Sequence, residues 1–331
     1  MVKYKSTRNT SIELLRFLFM FGIVLSHGMA HGSNLNYELI YSWGGQFPEA
    51  VHLSLFSLGK IGVTGFMFIS GFYGIKFKPR SFFLLISICL FYVMLLSKGR
   101  GVTQIPIPYS RWWFIESYLL VMLFAPAIDL MFKYVEKKQI LIIVGALFYY
   151  SYVGRFLKFQ NSHDFIMLLT VYVLARYMAI NRELKIIKYF GSSLMLLFLT
   201  FLVLVIPVSM NVLGFPFKWF CLWFQNNNLL YLLLSASLVY WCDSHVIRVK
   251  LINWMATGIL AIYLLTDNNY VRKPLNHWLY CEILNFGGYL YVFLICIGCL
   301  LIDKVRQLIF DGIVVLIAKT KIKLLSKNVA E

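Results

Sequence analysis

The sequence is poor in charge, and poorest in acid. Asp, Glu, Lys and Arg make up only 14% of it, and Asp and Glu together number 14. An ordinary soluble domain carries roughly 25% charged residues. With 60% hydrophobic residues and a mean hydropathy of +0.74, a chain of 331 residues has too little polar surface for a water-soluble globule. It reads as an all-α, polytopic membrane protein. A Walker loop and a dinucleotide fingerprint are both missing, which argues against an ATP-driven pump and an NAD enzyme. Internal repeats, a soluble domain and a long low-complexity linker are missing too. Cysteine is scarce: six residues, mostly inside apolar runs. Cys296-x-x-Cys299 has no histidine nearby, so packing is expected there and not a metal. A disulfide between Cys221 and Cys281 is open, though their spacing gives it no support.

What is present is a series of apolar runs, near 11–30, 51–75, 81–97, 112–132, 139–153, 164–181, 189–210, 227–242, 251–267 and 285–303. Ten spans are expected, several of them short for a hydrocarbon core of about 30 Å. Twenty of the 31 Lys and Arg fall in the loops on the side of the N-terminus and eight in the opposite loops. Arg16, Lys60 and Arg176 lie within runs. The positive-inside rule then predicts both termini in the cytoplasm. It also explains the net charge of +17 without any nucleic-acid partner. Glu13 and Arg16 interrupt the first run and no small-residue cleavage site follows it, so a retained first span is expected in place of a signal peptide. Residues 1–303 read as one transmembrane domain. Residues 304–331 read as a basic amphipathic cytoplasmic tail held by acidic membrane lipids.

The first run, "IELLRFLFMFGIVLSH" (12–27), keeps an acid, a guanidinium and an imidazole. At 100° per residue, Arg16 lies about 20° to one side of His27 and Glu13 about 40° to the other. Arg16 and His27 are about 16 Å apart along this stripe. An ionised side chain at the centre of a lipid-facing helix costs roughly 2.5–3.5 kcal/mol. The stripe is therefore expected to face a protein interior or a wet cavity. The helix physics leaves a plainer reading open, in which Arg16 reaches the headgroups with Glu13 and His27 marks the other interface.

The order Glu13-x-x-Arg16-x10-His27, preceded by Arg8, resembles the first-span signature of the membrane-bound acyltransferase-3 family. "GVTGFMFISGFYGIKFKPR" (62–80), "RWWFIESYLLVMLFAPAID" (111–129) and "MATGILAIYLLTDNNYVRKPL" (255–275) resemble three further segments of that family, in order and spacing. The likeness covers nearly the whole chain and lies nearest the branch that O-acetylates surface polysaccharides. One departure matters: Thr266 stands where the late motif usually carries a histidine. His31, His52 and His277 are candidates to replace it. A metal shared by His27 and His31 is not expected, since a site needs three or four ligands.

The resemblance implies an acetyl transfer from cytoplasmic acetyl-CoA to a hydroxyl of a cell-surface glycan or its lipid-linked oligosaccharide precursor. His27 is then the base or nucleophile, with Arg16 and Glu13 beside it in the catalytic stripe. Arg16, Lys76, Lys78 and Arg80 suit the donor's phosphates. For the three beyond Arg16, positive-inside orientation explains their presence equally well. Glu116, Trp113, Asp267 and Arg272 are assigned to the acceptor. Glu116 needs a partner inside the span, Arg111 or Lys60. Trp112, Trp113, Trp219 and Trp223 also fit as interfacial aromatics, and Ser70-Gly71 as a close helix contact. A second class stays open: a transporter or flippase for a lipid-linked sugar or small anion, its path lined by Arg16, Lys60, Glu116 and Arg176.

Overall fold

The computed structural model describes residues 8–32, 47–97, 112–154, 165–268, 270–285 and 287–328. Among them there are helices and turns and no strand. The helices are α1 (Thr10–Gly32), α2 (Phe47–Gly59), α3 (Ile61–Tyr73), α4 (Pro79–Ser97) and α5 (Trp113–Tyr134). Then come α6 (Lys137–Phe148), which runs on into a π-turn at Tyr149–Gly154, and α7 (Phe165–Ile180). The second half holds α8 (Ser193–Val212), α9 (Phe217–Trp223), α10 (Leu229–Ser244) and α11 (Lys250–Met255). It closes with α12 (Ile259–Thr266), α13 (Arg272–Leu284) and α14 (Gly287–Asn328).

The expected apolar runs are helical, and among the described residues six segments are long and apolar enough to cross a membrane. A seventh is reached if α7 and the bent piece Lys185–Gly191 form one span. The other helices are shorter for local reasons. The run at 139–153 is broken by the π-turn, and the run at 251–267 by a 3-10 turn at Ala256–Gly258. The run at 227–242 yields α10, only 16 residues long.

α1 is the shared wall of the molecule, packing on α2, α3, α10, α12, α13 and α14. Its adjacent residues Phe19 and Met20 belong to different apolar cores. One core gathers Phe68, Val171 and Tyr231; the other gathers Phe56, Ile262, Leu279 and Cys296. Large apolar side chains such as Leu18, Leu194 and Phe201 stay exposed on the outside, as a hydrocarbon solvent allows.

Close approach of α1 to its neighbours depends on glycine. A Cβ on Gly22 would lie 3.0 Å from Gly59 Cα, so α1 and the end of α2 touch backbone to backbone. A Cβ on Gly32 would lie 2.2 Å from Asn276 O, which lets α13 lie against the last turn of α1. The chain breaks between α2 and α3 at Lys60, near the middle of the span Ala50–Tyr73.

The expected tail does not start as a separate element. α14 is continuous from Gly287 to Asn328. Its residues Lys304 and Arg306, counted as tail from sequence, are buried. Arg306 bonds both oxygens of Asp303, at 2.6 and 3.1 Å, and Tyr92 of α4 donates to the same carboxylate at 2.8 Å. A boundary at 303/304 would cut this network in two. The disulfide considered for Cys221 and Cys281 is not formed.

Candidate active site

A cavity of about 510 Å³ lies where the two cores meet. Val63, Phe66 and Phe114 pack against both cores and also line it. On α1 its wall is Arg16, Met20, Ile23, Ser26 and His27. Their spacing is one face of a helix, so the stripe inferred from sequence does look into a cavity. The three other quoted segments each add to the wall. The first gives Val63, Phe66 and Ser70, the second Trp113 and Tyr118, and the third Ala256, Leu260 and Tyr263. Among the described residues no Asp or Glu lines it, and its charged groups are Arg8, Arg16 and Lys60.

At one end His27 Nδ1 faces Asp267 Oδ1 at 3.6 Å, within ion-pair range but longer than a hydrogen bond. Arg272 Nε approaches the same oxygen at 3.2 Å. The Arg272 guanidinium also reaches His31 Nε2. The His27 and His31 rings are 5.1 Å apart. Asp267 is 2% exposed, so its charge is neutralised inside the protein by these partners. The local sequence explains the grouping. α12 ends at Thr266, and the Asn268 side chain accepts from Tyr270 N, folding a turn that starts α13 at Arg272. Asp267 and Arg272 therefore flank one turn, and the α1–α13 contact through Gly32 carries both to His27. Gly28 and Gly32, which look like loosening residues in the sequence, are packing contacts.

Thr266 takes no part in this group: its hydroxyl donates to Ile262 O of its own helix at 2.7 Å. Among the three candidates to replace the missing histidine, His31 is the one brought to the Asp267–Arg272 pair. His52 is hydrogen-bonded to Tyr289 at 2.6 Å, and His277 lies 3.4 Å from Gly32 O.

At the other end a buried carboxylate holds two guanidiniums. Glu13, its side chain 7% exposed, faces Arg16 at 3.5 Å and Arg8 at 3.7 Å. Both arginines line the cavity and Glu13 does not. The start of α1 is fixed here by bonds to α10, α11 and the connection between them. Thr10 Oγ1 donates to Asn253 and accepts from Val249 N, and Asn9 donates to Cys242 O. Glu13 lies about 21 Å along α1 from His27. It is too far from the imidazole to touch it, and the carboxylate that faces His27 is Asp267.

Other expected residues fall elsewhere. Lys76, Lys78 and Arg80 are exposed on the connection into α4 and line no part of the cavity. Glu116 is half-buried on α5 outside the cavity wall, and no ion pair joins it to Lys60. Its other expected partner, Arg111, lies outside the described residues. Of the four tryptophans only Trp113 lines the cavity; Trp223 donates to Ser57 at 2.8 Å and Trp219 is exposed. Gly71 packs on the Tyr172 backbone, as a small-residue contact should, while Ser70 reaches the cavity. Sequence reasoning passed over Asn226. The signal was there: three consecutive asparagines, 226–228, inside an apolar stretch.

Compared with known proteins, the chain matches no family model, no curated protein and no solved structure.

Proposed function

We propose that the chain is an integral-membrane O-acyltransferase, resembling the acyltransferase-3 family. It would move an acetyl group from cytoplasmic acetyl-CoA to a hydroxyl of a cell-surface polysaccharide or its lipid-linked precursor. In this reading the chain sits in the cytoplasmic membrane with both termini inside, its short helices completing ten crossings, and acidic lipids hold the basic end of α14. The observation that carries the proposal is the polarity of one cavity, with two guanidiniums at one end and a carboxylate-backed imidazole at the other. Arg8 and Arg16 suit phosphates at the cytoplasmic mouth, by charge-assisted and bidentate contacts. A thin acyl-bearing arm then runs along Met20 and Ile23 to His27.

With Nδ1 of His27 turned to Asp267, the proton of the acceptor hydroxyl goes to Nε2. The hydroxyl oxygen attacks the thioester carbonyl, a C–O bond forms, the C–S bond breaks, and CoA leaves as the thiol with the proton from His27. Asp267 holds the imidazole and stabilises its protonated form, and Arg272 keeps Asp267 ionised and in place. Trp113 and the outer side of this group are left for the acceptor. This His–Asp–Arg grouping favours an enzyme over a transporter, because a permeation path has no need of an oriented base.

The test is the acetyl content of the surface polysaccharides of cells with and without the protein, and of cells carrying His27→Ala. Removal of the protein should abolish a set of O-acetyl groups. His27→Ala should match the deletion while its membrane level stays normal. An unchanged acetylation pattern in both strains contradicts the proposal.

A further inference from the structure

The middle of the cavity carries two polar groups that neither end uses. Lys60, at the break between α2 and α3, lies beside Gly22 of α1 through the Gly22–Gly59 contact. That level is about 9 Å in from Arg16 and about 7 Å short of His27. Asn226, 2% exposed, is placed next to it: Thr64, one turn past Lys60 on α3, donates to Asn226 O at 3.4 Å. Both residues line the cavity. The cavity hydroxyls of Ser26 and Ser70 are satisfied by carbonyls of their own helices, at 2.9 and 3.0 Å. By contrast, among the described residues the Lys60 ammonium has no carboxylate within 4.0 Å and no hydrogen bond, and the Asn226 carboxamide likewise makes none. Both line the cavity, so their hydrogen-bonding capacity is left for whatever fills it.

We propose that Lys60 and Asn226 are specificity residues that grip the uncharged, amide-bearing arm joining the donor's phosphates to its thioester. The inference rests on the acyl-CoA reading above. With the phosphates at Arg8 and Arg16 and the thioester at His27, the part of the donor that passes Lys60 is the stretch holding its two amides. An ammonium donates to an amide carbonyl, and a carboxamide matches both the carbonyl and the N–H of an amide. Simple hydration of the cavity would need neither residue type.

The experiment is a binding comparison on the purified full-length protein, using acetyl-CoA and the phosphate-free S-acetyl-pantetheine. Lys60→Met should weaken both ligands by the same factor, about tenfold. Asn226→Ser should also weaken both. Arg16→Gln should weaken acetyl-CoA and leave S-acetyl-pantetheine unaffected. If the Lys60→Met loss disappears with S-acetyl-pantetheine, Lys60 binds a phosphate and the proposal is overturned. If both variants bind both ligands as the wild type does, the pair faces only water and the proposal is again overturned. Should Lys60→Met fail to fold, Asn226→Ser carries the same comparison. Wild-type protein that binds neither ligand would overturn the acyl-CoA reading itself.

Discussion

The two ends of the cavity use the same ingredients and are built differently. Each has a buried carboxylate between cationic partners. At the mouth the group is local: Arg8, Glu13 and Arg16 come from one stretch of nine residues, and both arginines are a third exposed or more. At the deep end His27 and His31 meet Asp267 and Arg272 from across the sequence, and the carboxylate is 3% exposed at its side chain. Water screens the first group and is kept from the second. The mouth is therefore suited to catching a charged ligand reversibly. The deep end is suited to fixing one tautomer of one ring, and a single atom lost there leaves a buried charge unpaired.

That contrast ranks the effects of substitution. Asp267→Asn should be the harshest, lowering the rate of acetyl transfer by about 10²-fold while the affinity for acetyl-CoA stays near wild type. Single-turnover transfer alongside ligand binding separates the two, and a loss confined to affinity would erase the distinction between the ends. Arg16→Gln should do the reverse, weakening acetyl-CoA by roughly tenfold with the bound turnover rate spared. Titration of the rate against acetyl-CoA measures that split. Replacing Lys76, Lys78 and Arg80 together by Gln should change acetyl-CoA affinity by less than about twofold. A large loss from this triple change would mean that the mouth extends beyond the arginine pair.

The same contrast governs what the sequence could tell. The mouth was legible because helical spacing alone puts Glu13 and Arg16 within reach of each other. The stripe was legible too, since residues 16, 20, 23 and 27 share a face whatever packs on it. The partner of His27 was not legible as such. Asp267 and Arg272 were visible as a motif, but bringing them to the imidazole takes the Asn268 turn and the glycine contact between α1 and α13, neither of which has a periodic signature. Lys76, Lys78 and Arg80 show the opposite case, since a basic cluster between two apolar runs looks the same in sequence whether or not it reaches the cavity. The breaks in the short apolar runs were not legible, because hydropathy does not register a 3-10 turn or a π-turn.

The central claim is that an acetyl-CoA molecule lies along the α1 stripe with its acyl end at His27. Cysteines placed at the two ends, Ser70→Cys and Ser26→Cys, test it in a background where Cys221 and Cys281 are serine. A small membrane-impermeant thiol reagent applied from the cytoplasmic side should modify both, and acetyl-CoA should protect both. The lipid-facing control Leu18→Cys, 59% exposed in the protein alone, should stay unmodified with or without acetyl-CoA. Modification of Ser26→Cys that acetyl-CoA leaves unchanged would contradict the claim.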